Sequence, residues 1–124
     1  MQDFRKIQAW QRAHELAKQI YLVTKSFPRE ELYGLTSQMR RAAVSVPANI
    51  AEGAGRGGNR EFARYLDVAF GSASELEYYA LLAYDLRLLP KTEYDPVSAE
   101  LAEIKRMLTG FVRSVRKAGT RTDN

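Results

Sequence analysis

The chain has 124 residues, 45% of them apolar, with one His and no Cys. It has the make-up of one soluble domain that buries roughly two-thirds of its unfolded surface without covalent staples. The missing thiols exclude a disulfide framework, a thiolate metal site and a cysteine nucleophile, and the lone His excludes a histidine metal cage or a His-His relay; most enzyme chemistries are thereby disfavoured, and no catalytic, cofactor or metal residue is singled out. The 19 Lys and Arg against 15 Asp and Glu are unevenly placed: residues 105–124 hold six basic and one acidic residue, residues 40–64 five and two, and residues 65–104 two and eight. A polyanion partner would therefore be confined to particular faces.

In chain order, Asp3, Arg5, Lys6 and Gln8 interrupt the first ten residues, which therefore lack the apolar core of a signal peptide. No later stretch approaches the roughly 18 apolar residues of a membrane span. A cytoplasmic protein with no membrane contact is expected. A first helix is predicted over 7–26, where Trp10, Ala13, Ala17, Ile20, Thr24 and Phe27 step by three and four and Phe27-Pro28 ends the run. A second runs from Glu31 to Glu52 on Leu35, Met39, Ala42, Val46, Ile50 and Gly53, kinked at Pro47. The glycine-rich loop Gly53 to Gly58 leads to Asn59, which is expected to cap the third helix.

The third helix, 60–89, carries two stripes. Phe62, Leu66, Ala69, Ala73, Leu76, Ala80 and Ala83 form a core seam. Tyr65, Val68, Ser72, Glu75, Tyr79, Leu82, Leu86 and Leu89 form a second, and Tyr65, Tyr79 and Leu82 are expected at a subunit interface. Pro90 stops this helix, and Asp95-Pro96 reads as cap and first-turn proline of a fourth over 96–117, built on Val97, Leu101, Ile104, Leu108, Phe111 and Val115. Sustained alternation is absent, so the expected fold is all-α: an up-down-up-down antiparallel four-helix bundle over 1–118 with a polar tail over 119–124.

Gly53 to Gly58 matches the letters of a dinucleotide-binding loop, but a helix precedes it where a strand is needed, and Asn59-Arg60 stand where a Walker loop needs Lys and Ser or Thr. The glycines serve a sharp turn, and Arg56 and Arg60 beside a helix start are candidates for phosphate contact. In the second helix Gln38, Arg41, Ser45, Asn49 and Glu52 span an arc of about 80° beside the apolar face. This is read as a structural polar strip in which Arg41 pairs with Glu75 or Glu52, the competing reading being a polar pocket. His14 has no carboxylate dyad in the sequence and reads as a packing or boundary residue. Arg106, Arg113 and Lys117 form one line opposite the apolar stripe of the fourth helix, suited to phosphate contact without base reading.

Gln38-Met39-Arg40-Arg41-Ala42-Ala43-Val44-Ser45-Val46-Pro47-Ala48-Asn49-Ile50-Ala51-Glu52-Gly53 resembles the signature of bacterial four-helix-bundle proteins encoded in 23S rRNA intervening sequences. Phe4 to Trp10, Ile20-Tyr21, Phe27-Pro28, Phe62, Tyr65-Leu66 and Ala69 through Glu77 extend the likeness. Met39 replaces the more usual Leu, and Gly57-Gly58 stand where a hydroxyl residue is often found. That family is similar to the accessory variability determinant of diversity-generating retroelements, a basic pentameric barrel that binds a reverse transcriptase and nucleic acid. The resemblance implies an antiparallel bundle, a ring of five copies, RNA or DNA as partner and a reverse transcriptase as another. It supplies no catalytic residues. The expectation is a non-enzymatic, homo-oligomeric nucleic-acid accessory protein; the alternatives are a protein-protein scaffold with solubilising basic faces, and an enzyme with a pocket around Arg41 and Glu52.

Overall fold

The computed structural model describes residues 2–122, the last two by their backbone alone. A 3-10 turn over Phe4–Lys6 leads into helix α1, Gln8–Thr24; a second, over Arg29–Glu31, precedes α2, Leu35–Ala54. Helices α3, Asn59–Asp85, and α4, Lys91–Thr122, complete an antiparallel four-helix bundle with no strand among the described residues. Consecutive helices pack together and α1 closes the square against α4, while the diagonal pairs α1/α3 and α2/α4 keep their Cα atoms more than 8 Å apart.

The core follows the four-three spacing. Ile20, Met39, Ile50, Leu66, Leu76, Leu101, Ile104 and Leu108 are fully buried, and small residues fill the spaces between them. Ala42 and Ala43 on α2 and Ala69, Ala73, Ala80 and Ala83 on α3 are buried too, which lets the α2 and α3 backbones approach closely. Gly53 marks the tightest point: a Cβ there would lie 2.8 Å from both Phe62 Cδ1 and Tyr65 Cβ.

Several element ends differ from the sequence expectation. Helix α2 starts at Leu35 instead of Glu31, and Glu31 Oε1 accepts from the Leu35 amide at 3.1 Å. It continues through Pro47 to Ala54, which shortens the loop to Gly55–Gly58. The cap of α3 is Gly58, whose backbone is extended, and Asn59 is already helical. Helix α3 ends at Asp85: Arg87 adopts φ 63°, its amide donates to Tyr84 O at 3.0 Å, and the Leu88 amide donates to Ala83 O at 2.9 Å. This closure is the Schellman motif. Helix α4 begins five residues before Pro96, because the Glu93 and Tyr94 amides both reach the Pro90 carbonyl at 2.9 Å and Lys91 pairs with Asp95 at 2.8 Å. Residues 119–122 of the expected tail continue α4, since a helical glycine costs only about 1 kcal/mol and Thr120 Oγ1 donates back to the Lys117 carbonyl at 2.8 Å. Residues 123–124 lie outside the described residues.

Candidate nucleic-acid interface

The antiparallel arrangement collects cations at one end. The Gln2 amide donates to the Ala54 carbonyl at 3.0 Å, which puts the start of the chain beside the end of α2. Phe62 and Phe111 meet edge-to-face at 5.3 Å, and Arg116 pairs with Asp67, so the first turns of α3 run beside the last turns of α4. Arg60 and Arg64 from α3 thereby share a groove of about 680 Å³ with Arg116 from α4. Arg56, Arg113 and Lys117 flank it from the same end of the bundle, and the first 3-10 turn adds Arg5 and Lys6.

These cations differ in what already holds them. Arg56 donates to Glu52 at 2.7 Å and to the Tyr65 hydroxyl at 2.9 Å, while Arg64 donates to Glu61 at 2.8 Å. Their guanidinium carbons lie 5.2 and 4.7 Å from the Tyr65 ring centre, so Tyr65 is clasped by two cations within its own chain. The bond to Glu52 chiefly raises the Arg56 pKa, and that to Glu61 the Arg64 pKa. Arg5 pairs with Asp3 at 3.3 Å. Among the described residues Lys6, Arg60, Arg113 and Lys117 are exposed and form no ion pair. Arg106 lies on the Arg113–Lys117 line but is tied to Glu103, whose other cationic neighbour is Arg12 at 3.7 Å.

The polar strip lies along the α2–α3 seam, paired differently from the sequence expectation. Ser45 Oγ and Ser72 Oγ are 2.7 Å apart, and Asn49 Nδ2 donates to the Ser45 carbonyl at 2.8 Å and to its hydroxyl at 3.0 Å. The Tyr79 hydroxyl donates to Glu75 at 3.0 Å, with Gln38 Oε1 at 3.5 Å. The bond to Glu75 holds the Tyr79 pKa above its ordinary value, helped by burial and opposed by the charge of Arg41. Arg41 itself is exposed and pairs with neither Glu75 nor Glu52, because it stands at the solvent edge of the arc and Glu52 is taken by Arg56. Ser45, Asn49 and Ser72 thus bond one another, while Gln38 meets the Tyr79 hydroxyl instead. His14 is exposed and stacks on Trp10 at 4.8 Å, with the rings 9° from parallel.

The expected interface residues are partly used inside the chain. Tyr65, Tyr79 and Leu82 are half-buried, and Ser72 and Leu89 of the same stripe are buried, because this stripe borders α2 and the α3–α4 turn. The exposed large apolar groups of α3 are Val68, Tyr78 and Leu81, joined by Leu86 at its C-cap. Sequence reading also passed over Lys6 as part of the basic end. Its neighbours lie far away in sequence and are set by tertiary contacts: the Gln2–Ala54 bond and a groove that Lys6 shares with Met107 and Phe111.

No curated protein matches the chain. A crystal structure of a protein of unknown function from the S23 ribosomal protein family, from Bacteroides thetaiotaomicron, shares the fold with a TM-score of 0.76. It is 21% identical and covers 84% of this chain and 97% of its own. The described residues contain no helix long and apolar enough to cross a membrane. The sequence model that describes the 23S rRNA-intervening sequence proteins matches residues 5–110, nearly the whole bundle including the Gln38–Gly53 signature, and this chain belongs to that family.

Proposed function

We propose that this chain is a non-enzymatic, cytoplasmic accessory protein that assembles with copies of itself, five in the arrangement implied by the retroelement resemblance, and contacts RNA or DNA phosphates with its basic end. One observation carries the reading: Arg60, Arg113 and Lys117, from two helices and separate in sequence, sit at the same end with no carboxylate partner among the described residues. Arg56 supports them beside the groove, and Arg106 extends the line along α4. Exposed cations without partners are the groups that release counterions when a phosphate arrives. The family's name, taken from an insertion in ribosomal RNA, agrees with an RNA setting.

The test is electrophoretic mobility shift against structured RNA and duplex DNA at two salt concentrations. Replacing Arg60, Arg113 and Lys117 by Ala should weaken binding to all sequences alike and flatten the slope of log K against log salt by up to about three units per engaged subunit on duplex. Arg106→Ala should do less, since Glu103 already offsets that charge. An unchanged slope in the folded triple variant overturns this face. No retardation of any nucleic acid at low salt leaves the protein-protein scaffold, which the exposed apolar groups of α3 favour. Co-purification with a reverse transcriptase from the same genome tests the remaining partner.

A further inference from the structure

The groove of about 680 Å³ that holds Arg60, Arg64 and Arg116 does not end at Arg116. A second hollow of about 430 Å³ continues it along the same α3–α4 seam, and the Asp67–Arg116 pair lines both, standing as a bar between them. From Arg60 to Phe70 the seam runs roughly 15 Å, at 1.5 Å per residue. Its floor is apolar: Ala63, Leu108 and Val112 line it and are buried, and Phe70 is half-buried at the far end, where Lys105 lies 5.1 Å from the ring centre. The walls are charged, and each carboxylate on them is already answered. Glu61 holds Arg64 and Asp67 holds Arg116, while Lys105 is taken by Glu77. Arg60 in the first hollow and Arg113 in the second form no ion pair among the described residues, so the cations are in excess in both halves.

We infer that this seam seats a single strand of RNA or DNA, with phosphates on Arg60 and Arg113 and a further one displacing Asp67 from Arg116. The inference rests on the nucleic-acid reading above and names the form of nucleic acid. Shape selects it. Packed helices have axes about 8 to 10 Å apart, so the hollow between them admits one backbone, whereas a duplex carries two backbones on the outside of a rigid rod and reaches only the rims. The floor selects it too. Buried carbon offers a phosphate nothing, but a strand with unpaired bases turns their faces onto such a floor while its phosphates meet the cationic walls. Asp67 is the lining carboxylate whose pair crosses from one helix to the other, because Glu61 and Arg64 lie three apart on α3. That crossing pair is exposed, and exposed pairs contribute little to a fold, so an incoming phosphate takes Arg116 at small cost. Asp67 thus keeps Arg116 aimed across the groove until a phosphate replaces it.

Fluorescence anisotropy with labelled oligonucleotides of equal length tests this on the full chain: oligouridylate and oligothymidylate as single strands, and a DNA duplex. Charge density favours the duplex, so the expected result, tighter binding of the single strands, cannot come from charge alone. Asp67→Asn should tighten single-strand binding several-fold and steepen the slope of log K against log salt by about 0.7, one more phosphate on a single strand. Glu30→Gln makes the same change in net charge at the opposite end of the bundle and should leave binding nearly unchanged. Thr109 is exposed on the second hollow, and Thr109→Trp fills that hollow without a change of charge. It should weaken single-strand binding and spare the duplex. Circular dichroism checks each fold, and Asp67→Ser and Thr109→Phe make the same comparisons if a first variant misfolds. A preference between the two single strands identifies the ligand as RNA or DNA. No binding of any probe at low salt overturns the nucleic-acid reading itself. A duplex bound as tightly as the single strands, an Asp67→Asn no tighter than Glu30→Gln, or a harmless Thr109→Trp overturns the single-strand groove and leaves that reading standing.

Discussion

Ser45 and Ser72 face each other across the α2–α3 seam with their hydroxyl oxygens 2.7 Å apart, and Asn49 closes over the pair from one helical turn along. Ser72 is 9% exposed, so solvent cannot readily replace the partner it has. Ser45→Ala should lower stability by about 1 kcal/mol, and so should Ser72→Ala. The double variant should cost clearly less than the two together, because no polar atom is then left facing an apolar one. Thermal melts of the four proteins check this, and full additivity would show that the two hydroxyls do not act as a pair.

Two glycines should respond oppositely to alanine. Gly53 sits where α2 touches α3, and its new methyl would meet Phe62 and Tyr65 at 2.8 Å, so Gly53→Ala should destabilise by about 1 to 3 kcal/mol. Gly110 is helical, with nothing within 4 Å of the added carbon, so Gly110→Ala should stabilise by about 0.5 to 1 kcal/mol. Denaturant midpoints at equal m-values separate the two outcomes.

Arg87 is the described non-glycine residue with positive φ, and it occupies the C′ position of the α3 Schellman motif that glycine usually fills. Arg87→Gly should raise stability by about 0.5 to 1 kcal/mol, the relieved left-handed strain exceeding the added freedom of the unfolded chain. A lower melting temperature would mean that the exposed Arg87 side chain contributes more than its backbone costs.

Arg41 lies at the outer edge of the polar strip without an ion pair among the described residues, so Arg41→Ala should change stability by less than about 0.5 kcal/mol. The loss of about 3 to 5 kcal/mol that breaking a buried salt bridge would bring is not expected. A melt reads the difference directly. A spectrophotometric tyrosine titration adds a second check, since removing this positive charge should move Tyr79 further above its ordinary pKa.

Glu103 is held below the ordinary glutamate value of 4.5 by the hydrogen bond from Arg106 and then by the charges of Arg106 and Arg12. A carboxyl group lowered on folding contributes its full stability above its ordinary value and loses it as the pH falls through the lowered one. The melting temperature should therefore fall more steeply on acidification in the wild type than in Glu103→Gln. Parallel curves below pH 4.5 would show that this network adds nothing to acid stability.

The sequence by itself determined which residues form the core. The predicted core stripe of each helix, from Ala13–Ile20 on α1 to Val97–Leu108 on α4, is buried, with Trp10 and Phe111 half-buried and the second stripe of α3 only partly covered, because a 3.6-residue period places such residues on one face whatever the helix packs against. It also marked the cations of α4 as outward-facing, for the same reason. Helix ends depended on backbone details that composition does not carry: Gly58 caps α3 through an extended backbone, and Arg87 takes a left-handed turn with no glycine to announce it. Pairing across helices was decided by tertiary structure. That Arg12 takes Glu100, Lys105 takes Glu77 and Arg116 takes Asp67, and that Ser45 faces Ser72, depend on rotation and register between helices, to which a one-dimensional period is blind. The gathering of Lys6, Arg60, Arg113 and Lys117 at one end likewise follows from antiparallel packing, which brings together residues that are over a hundred positions apart in the chain.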